Sequence, residues 1–230
     1  MVAAKLSTPS AAESFLKALR AVMVHCILQG WRADDPTRDV KLRPPKTDGF
    51  RTWSEEDIAQ FEGAHPVGSR ARLALALALY TAQRRGDIVR LGSQHVRDSV
   101  IQLRQQKTNA PLIIPIHPEL AAVLGATAPT HLTFLVTKDG RPFSAPGFTN
   151  WFRQMCDEAG LPHGISVHGL RKAAARRLAE AGASVNVIAA ITGHASLREV
   201  QRYTAAADQA RLARSGIESM MTAFPRRKTG

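Results

Sequence analysis

The stretch HGLRKAAARRLAEAGASVNVIAAITGHASLREVQRY, residues 168–203, places His168 and Arg171 three apart, then Gly193-His194, then Tyr203 nine positions after that histidine. An α-helix turns once in about 3.6 residues, so His168 and Arg171 share one helical face. Apolar periodicity predicts short helices over 168–181, 184–191 and 196–203, broken at glycines, with another over 206–221. Tyrosine is scarce, since Tyr80 and Tyr203 are the only two.

Working outward, the same periodicity predicts helices over 145–159, 84–90, 67–80 and 11–29. Runs rich in β-formers predict strands over 100–105 and 112–117, joined by a polar turn holding Lys107, Thr108 and Asn109. Residues 132–136 suggest a third strand. Ser54-Glu55-Glu56-Asp57 has the form of a capping box at the start of a helix, with Trp53 as its hydrophobic staple. The segment 32–49 is charged and holds Pro36, Pro44 and Pro45, which marks a linker. The expected fold is therefore mainly α with a small antiparallel β-sheet (α+β). Its first part, residues 1–49, is one helix and a linker, and its second, residues 50–230, a larger domain ending in a helical tail.

Charge narrows the partner. Thirty-one Lys+Arg against nineteen Asp+Glu give a net +12, and the pI is about 10.6. Such a chain attracts polyanions through long-range fields and counterion release. Cys26 and Cys156 form no C-x-x-C pair and suit a reduced compartment. No apolar run approaches the ~20 residues that span a bilayer, and residues 1–12 lack a secretory pattern, so the expected location is cytoplasmic.

Upstream, Thr81-Ala82-Gln83-Arg84-Arg85-Gly86-Asp87 supplies an arginine followed three residues later by an acid. Together with H-x-x-R, G-H and Tyr203, and with Lys107 in a turn between strands, this set resembles the tyrosine recombinase (phage integrase) family over roughly residues 50–215. Ala82 stands where the family usually has glycine. The resemblance implies a catalytic domain preceded, in residues 1–49, by part of the family's DNA-clamping core-binding domain. It implies Tyr203 as nucleophile, Arg84 and Arg171 on the phosphate, Lys107 as general acid, His168 as base and His194 as a hydrogen-bond donor to phosphate. Arg85 competes with Arg84 for the first position. Asp87 is expected to orient Arg84 or buttress the fold. The implied partner is double-stranded DNA, met by a homotetramer that is a monomer without DNA, with no cofactor or metal. Such a protein is bacterial or phage-encoded and nucleoid-associated.

The residue types suit that chemistry. Attack on a phosphodiester builds charge on the non-bridging oxygens, which a permanently charged, planar guanidinium holds bidentately. A tyrosine with a pKa of about 10 is ionised about once in a thousand at neutral pH, so it needs a base and nearby cations. Alone, each motif has an ordinary reading: a surface helix pair, a helix C-cap, a core aromatic. Two rival functions remain open at this point. A helix-turn-helix-like DNA-binding protein without catalysis explains the charge, and a type IB topoisomerase-like enzyme shares the chemistry. The helix 206–221 is left open between packing on its own domain and docking on a neighbouring copy.

Overall fold

The structure is a computed structural model that describes residues 9–42, 49–127, 131–194 and 196–224. Within the last helix, the side chains of residues 202–203, 206–208 and 210–212 lie outside the described set. So do Pro44, Pro45 and the basic run Arg226-Arg227-Lys228. Two compact units emerge, Met1–Gly49 and Phe50–Gly230.

In the first unit, helix α1 (Pro9–Leu28) ends at Gly30, whose φ of 72° lets the Trp31 amide close back on the Cys26 carbonyl. The loop after it folds around Arg20, which donates to the carbonyls of Thr37 and Val40. Val22, Val24, Leu28 and Trp31 stay exposed.

The second unit begins with helix α2 (Glu55–Ala64), started by the expected box: Ser54 Oγ accepts from the Asp57 amide, and the Asp57 carboxylate accepts from the Ser54 amide. Trp53 does more than staple this helix. It is fully buried against Phe61 and Phe152, and its Nε1 donates to the Ser166 carbonyl 113 residues away. Helix α3 (Arg70–Thr81) reads ARLALALALY in its body, and every residue from Leu73 to Leu79 is buried. Alanine and leucine are both strong helix formers, and a helix apolar on every side belongs in the middle of a fold. Helix α4 (Arg85–Ile88) follows after a three-residue break.

The sheet is antiparallel in the order β1 (Val96–Arg97), β2 (Val100–Arg104), β3 (Pro111–Pro115). Asp98 and Ser99, with φ of 47° and 60°, form the tight turn between the first two strands. The third strand is thus β1, rather than residues 132–136. That segment makes single contacts: the Phe134 amide bonds the Leu91 carbonyl, and Val136 bridges Pro142. Among the described residues, no neighbouring strand lies in register to extend them into a ladder.

Helices α5 (Pro118–Gly125) and α6 (Ala145–Glu158) lead to α7 (Val167–Glu180), α8 (Val185–Thr192) and α9 (Leu197–Ala223). The break predicted between 203 and 206 is absent, because Thr204-Ala205-Ala206-Ala207 contains nothing to interrupt a helix. A second apolar cluster, Ala175, Ala179, Ile188 and Val200, fastens α7, α8 and α9 together. No described helix is long and apolar enough to cross a membrane.

Candidate active site

Helix α7 carries His168 and Arg171 on adjoining turns, and Gly169 between them has a steric purpose. A Cβ there would fall 2.2 Å from the Arg51 carbonyl oxygen and 2.9 Å from the Trp53 ring. The glycine lets segment 51–53 cross the helix, which brings Phe50 beside His168 with ring centroids 4.7 Å apart. Lys172 locks that crossing by donating to the Phe50 carbonyl.

Arg171 is 3% exposed. Its Nη1 donates to the carbonyls of Ala82 and Thr192, both at 2.7 Å, and its Nη2 lies 2.9 Å from His194 Nε2. A guanidinium only donates, so His194 Nε2 accepts. The imidazole proton then sits on Nδ1, which donates at 2.7 Å to Thr192 Oγ1, and that hydroxyl donates to the Ile188 carbonyl. His194 is therefore a neutral imidazole that steadies Arg171. Donation from Nε2 to a phosphate needs the opposite tautomer.

Ala82 occupies the left-handed region, with φ 54° and ψ 26°, as the cap that ends α3. Glycine adopts this conformation freely, whereas alanine in it costs about 1 kcal/mol. The turn points the Ala82 carbonyl at Arg171 and sends Gln83 and Arg84 inward. Arg84 Nη1 donates to Gln105 Oε1 at 2.8 Å, whereas the exposed Arg85 donates to Thr149 on α6. Asp87 has no hydrogen bond to Arg84. Its carboxylate accepts from the Gln106 amide at 2.8 Å, bracing the turn that carries the exposed Lys107.

Partial burial lowers the pKa of His168, as do the charges of Arg171, Lys172, Arg84 and Arg85. Burial, then Arg171, Arg84 and His168, push His194 down to about 4. Phe50, Arg84, Arg85, Thr149, Ser166 and His168 line a cleft of about 280 Å³. The Ser166 hydroxyl there is buried without a hydrogen-bond partner among the described residues. A larger apolar cavity, about 460 Å³ beside Tyr80, Ile116 and Leu178, is lined by none of the described candidate site residues. Tyr203 lies on α9 between the buried Val200 and Thr204, and its side chain is outside the described set.

The depressed histidines give stability a pH dependence of definite sign. An unfolded histidine takes up its proton near pH 6.5, while His194 in the fold resists until about pH 4. The unfolded chain thus binds more protons across that window, and its histidine contribution to stability is lost as pH falls from 6.5 to 4. Thermal melts over this range are expected to show the decline, and a His194→Asn variant to show a shallower one.

The sequence reading gave no role to Gln83, Gln105 or Thr192, the polar groups that join these segments. A signal for Gln105 was present. Ile101 and Leu103 form the buried face of β2, and the same two-residue alternation puts Gln105 next on it, 1% exposed.

The family model for the phage integrase family matches residues 54–210. The integrase of Escherichia phage HK022 is 27% identical over 176 residues, covering 70% of this chain and 49% of that protein. Tyrosine recombinase XerD of Xanthomonas campestris pv. campestris is 27% identical over 224 residues, covering 87% of this chain and 69% of the relative. A lambda integrase dimer bound to a COC′ core site superposes with a TM-score of 0.76 at 20% identity, over 89% of this chain and 62% of that one. The chain spans about half the length of the HK022 integrase. With the family model matching well over half of its residues, and with the same mainly helical fold around one small sheet, this chain belongs to the phage integrase family.

Proposed function

We propose that the chain is a site-specific DNA recombinase that cuts and rejoins strands through a 3′-phosphotyrosyl intermediate. One observation carries this reading: Arg171, one turn after His168 on α7, donates to the Ala82 carbonyl two residues before Arg84 and lies 2.9 Å from His194 Nε2, so segments far apart in sequence converge on these four groups. A neutral imidazole among fixed cations suits a base that must take a proton beside an anion.

In the proposed reaction, Tyr203 Oη attacks the scissile phosphorus as His168 receives its proton. Arg84 and Arg171 hold the non-bridging oxygens, and losing a comparable donor costs about 3–4 kcal/mol of activation energy elsewhere. The bond from phosphorus to the 5′ oxygen breaks, and Lys107 protonates the departing oxygen. His194 steadies Arg171, and Asp87 holds the Lys107 turn. The phosphotyrosyl ester conserves the energy of the broken bond, so a 5′ hydroxyl from a second duplex can attack it and release the tyrosine without ATP. A helix-turn-helix binder gives no reason for these groups to converge.

The test is incubation with a pool of nicked duplexes of randomised sequence, followed by a denaturing gel. A recombinase leaves a protein–DNA adduct that protease removes, and sequencing of the captured duplexes gives the target. A chain that binds the pool and leaves no adduct is a DNA-binding protein instead.

Exchange between two duplexes cuts four strands, one tyrosine to each, so the working assembly is a homotetramer on double-stranded DNA and a monomer without it. Support comes from α9, which exposes Ile217, Met220, Met221 and Phe224 rather than packing them on its own unit. Deleting the residues beyond Ala206 is expected to abolish DNA-dependent oligomerisation in analytical ultracentrifugation; unchanged assembly excludes α9 as the contact. Residues 1–49 are assigned to part of the DNA clamp, with the exposed apolar face of α1 in support. A bacterial or phage-encoded chain of this kind acts in the cytoplasm, at the nucleoid.

A further inference from the structure

Gln105 stands at the end of β2, outside every motif of the sequence, and its carboxamide is fully used. Nε2 donates to Gln83 Oε1 at 2.6 Å and to the Thr192 carbonyl at 2.9 Å. Oε1 accepts from Arg84 Nη1 at 2.8 Å and from Thr108 Oγ1 at 2.7 Å. Two donors and two acceptor sites are all that a glutamine amide has.

The direction of this amide is fixed by its neighbours. Gln83, also 1% exposed, gives its Nε2 hydrogens to the carbonyls of Thr81 and Ile191. Its oxygen is thereby left facing Gln105, which must answer with nitrogen. A flipped Gln105 would set N–H against the Arg84 guanidinium and oxygen against the Thr192 carbonyl. Gly193 packs on the same group: a Cβ there would lie 2.4–2.6 Å from the carboxamide, and its φ is 69°. The glycine of the G-H pair thus makes room for Gln105. One buried amide joins the segments that carry Arg84, Lys107 and His194.

We propose that Gln105 is a positioning residue, which aims the Arg84 guanidinium at the scissile phosphate and registers the Lys107 turn against it. The proposal rests on the recombinase reading above. A neutral amide suits the task, because it orients the guanidinium without cancelling its charge. A carboxylate in its place would keep both acceptor contacts, lose both donors, and neutralise the arginine.

The test uses the full chain and a nicked duplex captured by the wild type from the randomised pool. The wild-type rate in this assay reports on the recombinase reading, and the variants alone report on Gln105. Gln105→Met is expected to slow single-turnover adduct formation about 10- to 100-fold, the cost of misplacing a catalytic group by roughly 1 Å, with DNA affinity nearly unchanged. Gln105→Glu is expected to be slower still. In an Arg84→Ala background, Gln105→Met should add less than about 3-fold, since coupled groups do not add. Replacing the scissile phosphate by a methylphosphonate, which removes the charge that Arg84 neutralises, should shrink the Gln105→Met defect. Thr108→Val removes one donor to the same oxygen and leaves both buried carbonyls their partner. It is expected to slow cleavage several-fold, and it carries the test if Gln105→Met melts early. A full Gln105→Met defect in the Arg84→Ala background overturns the proposal, as does a Thr108→Val chain that cleaves at the wild-type rate.

Discussion

Tyr203→Phe is expected to bind the captured duplex as tightly as the wild type and to form no protease-sensitive adduct with it. The substitution removes one oxygen atom and keeps the ring, so the helix and its packing are retained. Without that oxygen, the neighbouring Thr204 offers no replacement for the attacking atom: it is buried, and its hydroxyl is turned back toward the Gln201 carbonyl. Deleting a nucleophile in other enzymes lowers turnover on the order of 10⁶-fold, which here means loss to the detection limit. Titration by gel shift, run beside the denaturing gel, separates binding from chemistry. An adduct that survives in the variant assigns the nucleophile to another residue.

Arg171→Ala is expected to lose both activity and stability, and the two losses have different origins. In the proposed reaction the guanidinium faces the phosphate, so its removal should lower the cleavage rate about 10²- to 10³-fold. In the resting fold it donates to the Ala82 and Thr192 carbonyls and to His194. An alanine takes that donor from the Ala82 carbonyl and from His194, while the Thr192 carbonyl keeps Gln105, at about 1–3 kcal/mol for each unsatisfied group. A chain of this length then melts roughly 5–10 °C lower. Arg171→Lys restores charge but not the planar fork, since an ammonium cannot reach two carbonyls and an imidazole in one plane. It should recover part of the melting temperature and little of the rate. Equal recovery of both by lysine would show that charge alone is required. Differential scanning fluorimetry and single-turnover cleavage read the two quantities separately.

How much of this was legible in the chain depends on which forces set each feature. The capping box at Ser54 and the central helix α3 were readable because they depend on local propensity and on continuous apolar sequence. Strand β1 was missed because two residues carry no periodic signal, and only their pairing with β2 makes them a strand. The same holds for the glycines of the site. Gly169 and Gly193 were visible as letters of a motif, but their reason is the close approach of Arg51, Trp53 and Gln105, segments far off in sequence. Ala82 shows the converse. As a string it looked like a departure from the pattern, whereas the fold shows a left-handed cap that alanine can occupy at modest cost. The charged members of the candidate site announce themselves by residue type. The neutral amides that hold them do not, because a buried glutamine and an exposed one are written alike.

Helix α9 runs without interruption from Leu197 to Ala223, 27 residues, or about 40 Å at 1.5 Å per residue. It contains no proline, and its one glycine, Gly216, comes more than three turns after Tyr203. Val200 and Thr204 are held in the fold, while residues 213–224 stand in solvent. Mechanically this is a stiff rod clamped at Val200 and Thr204, with Tyr203 inside the clamped part and a long free arm beyond it. Between Tyr203 and Gly216 no glycine or proline interrupts the rod, so a push on that stretch reaches the clamp as rotation. In the proposed reaction, whatever grips the free arm thereby bears on the angle at which Tyr203 is presented.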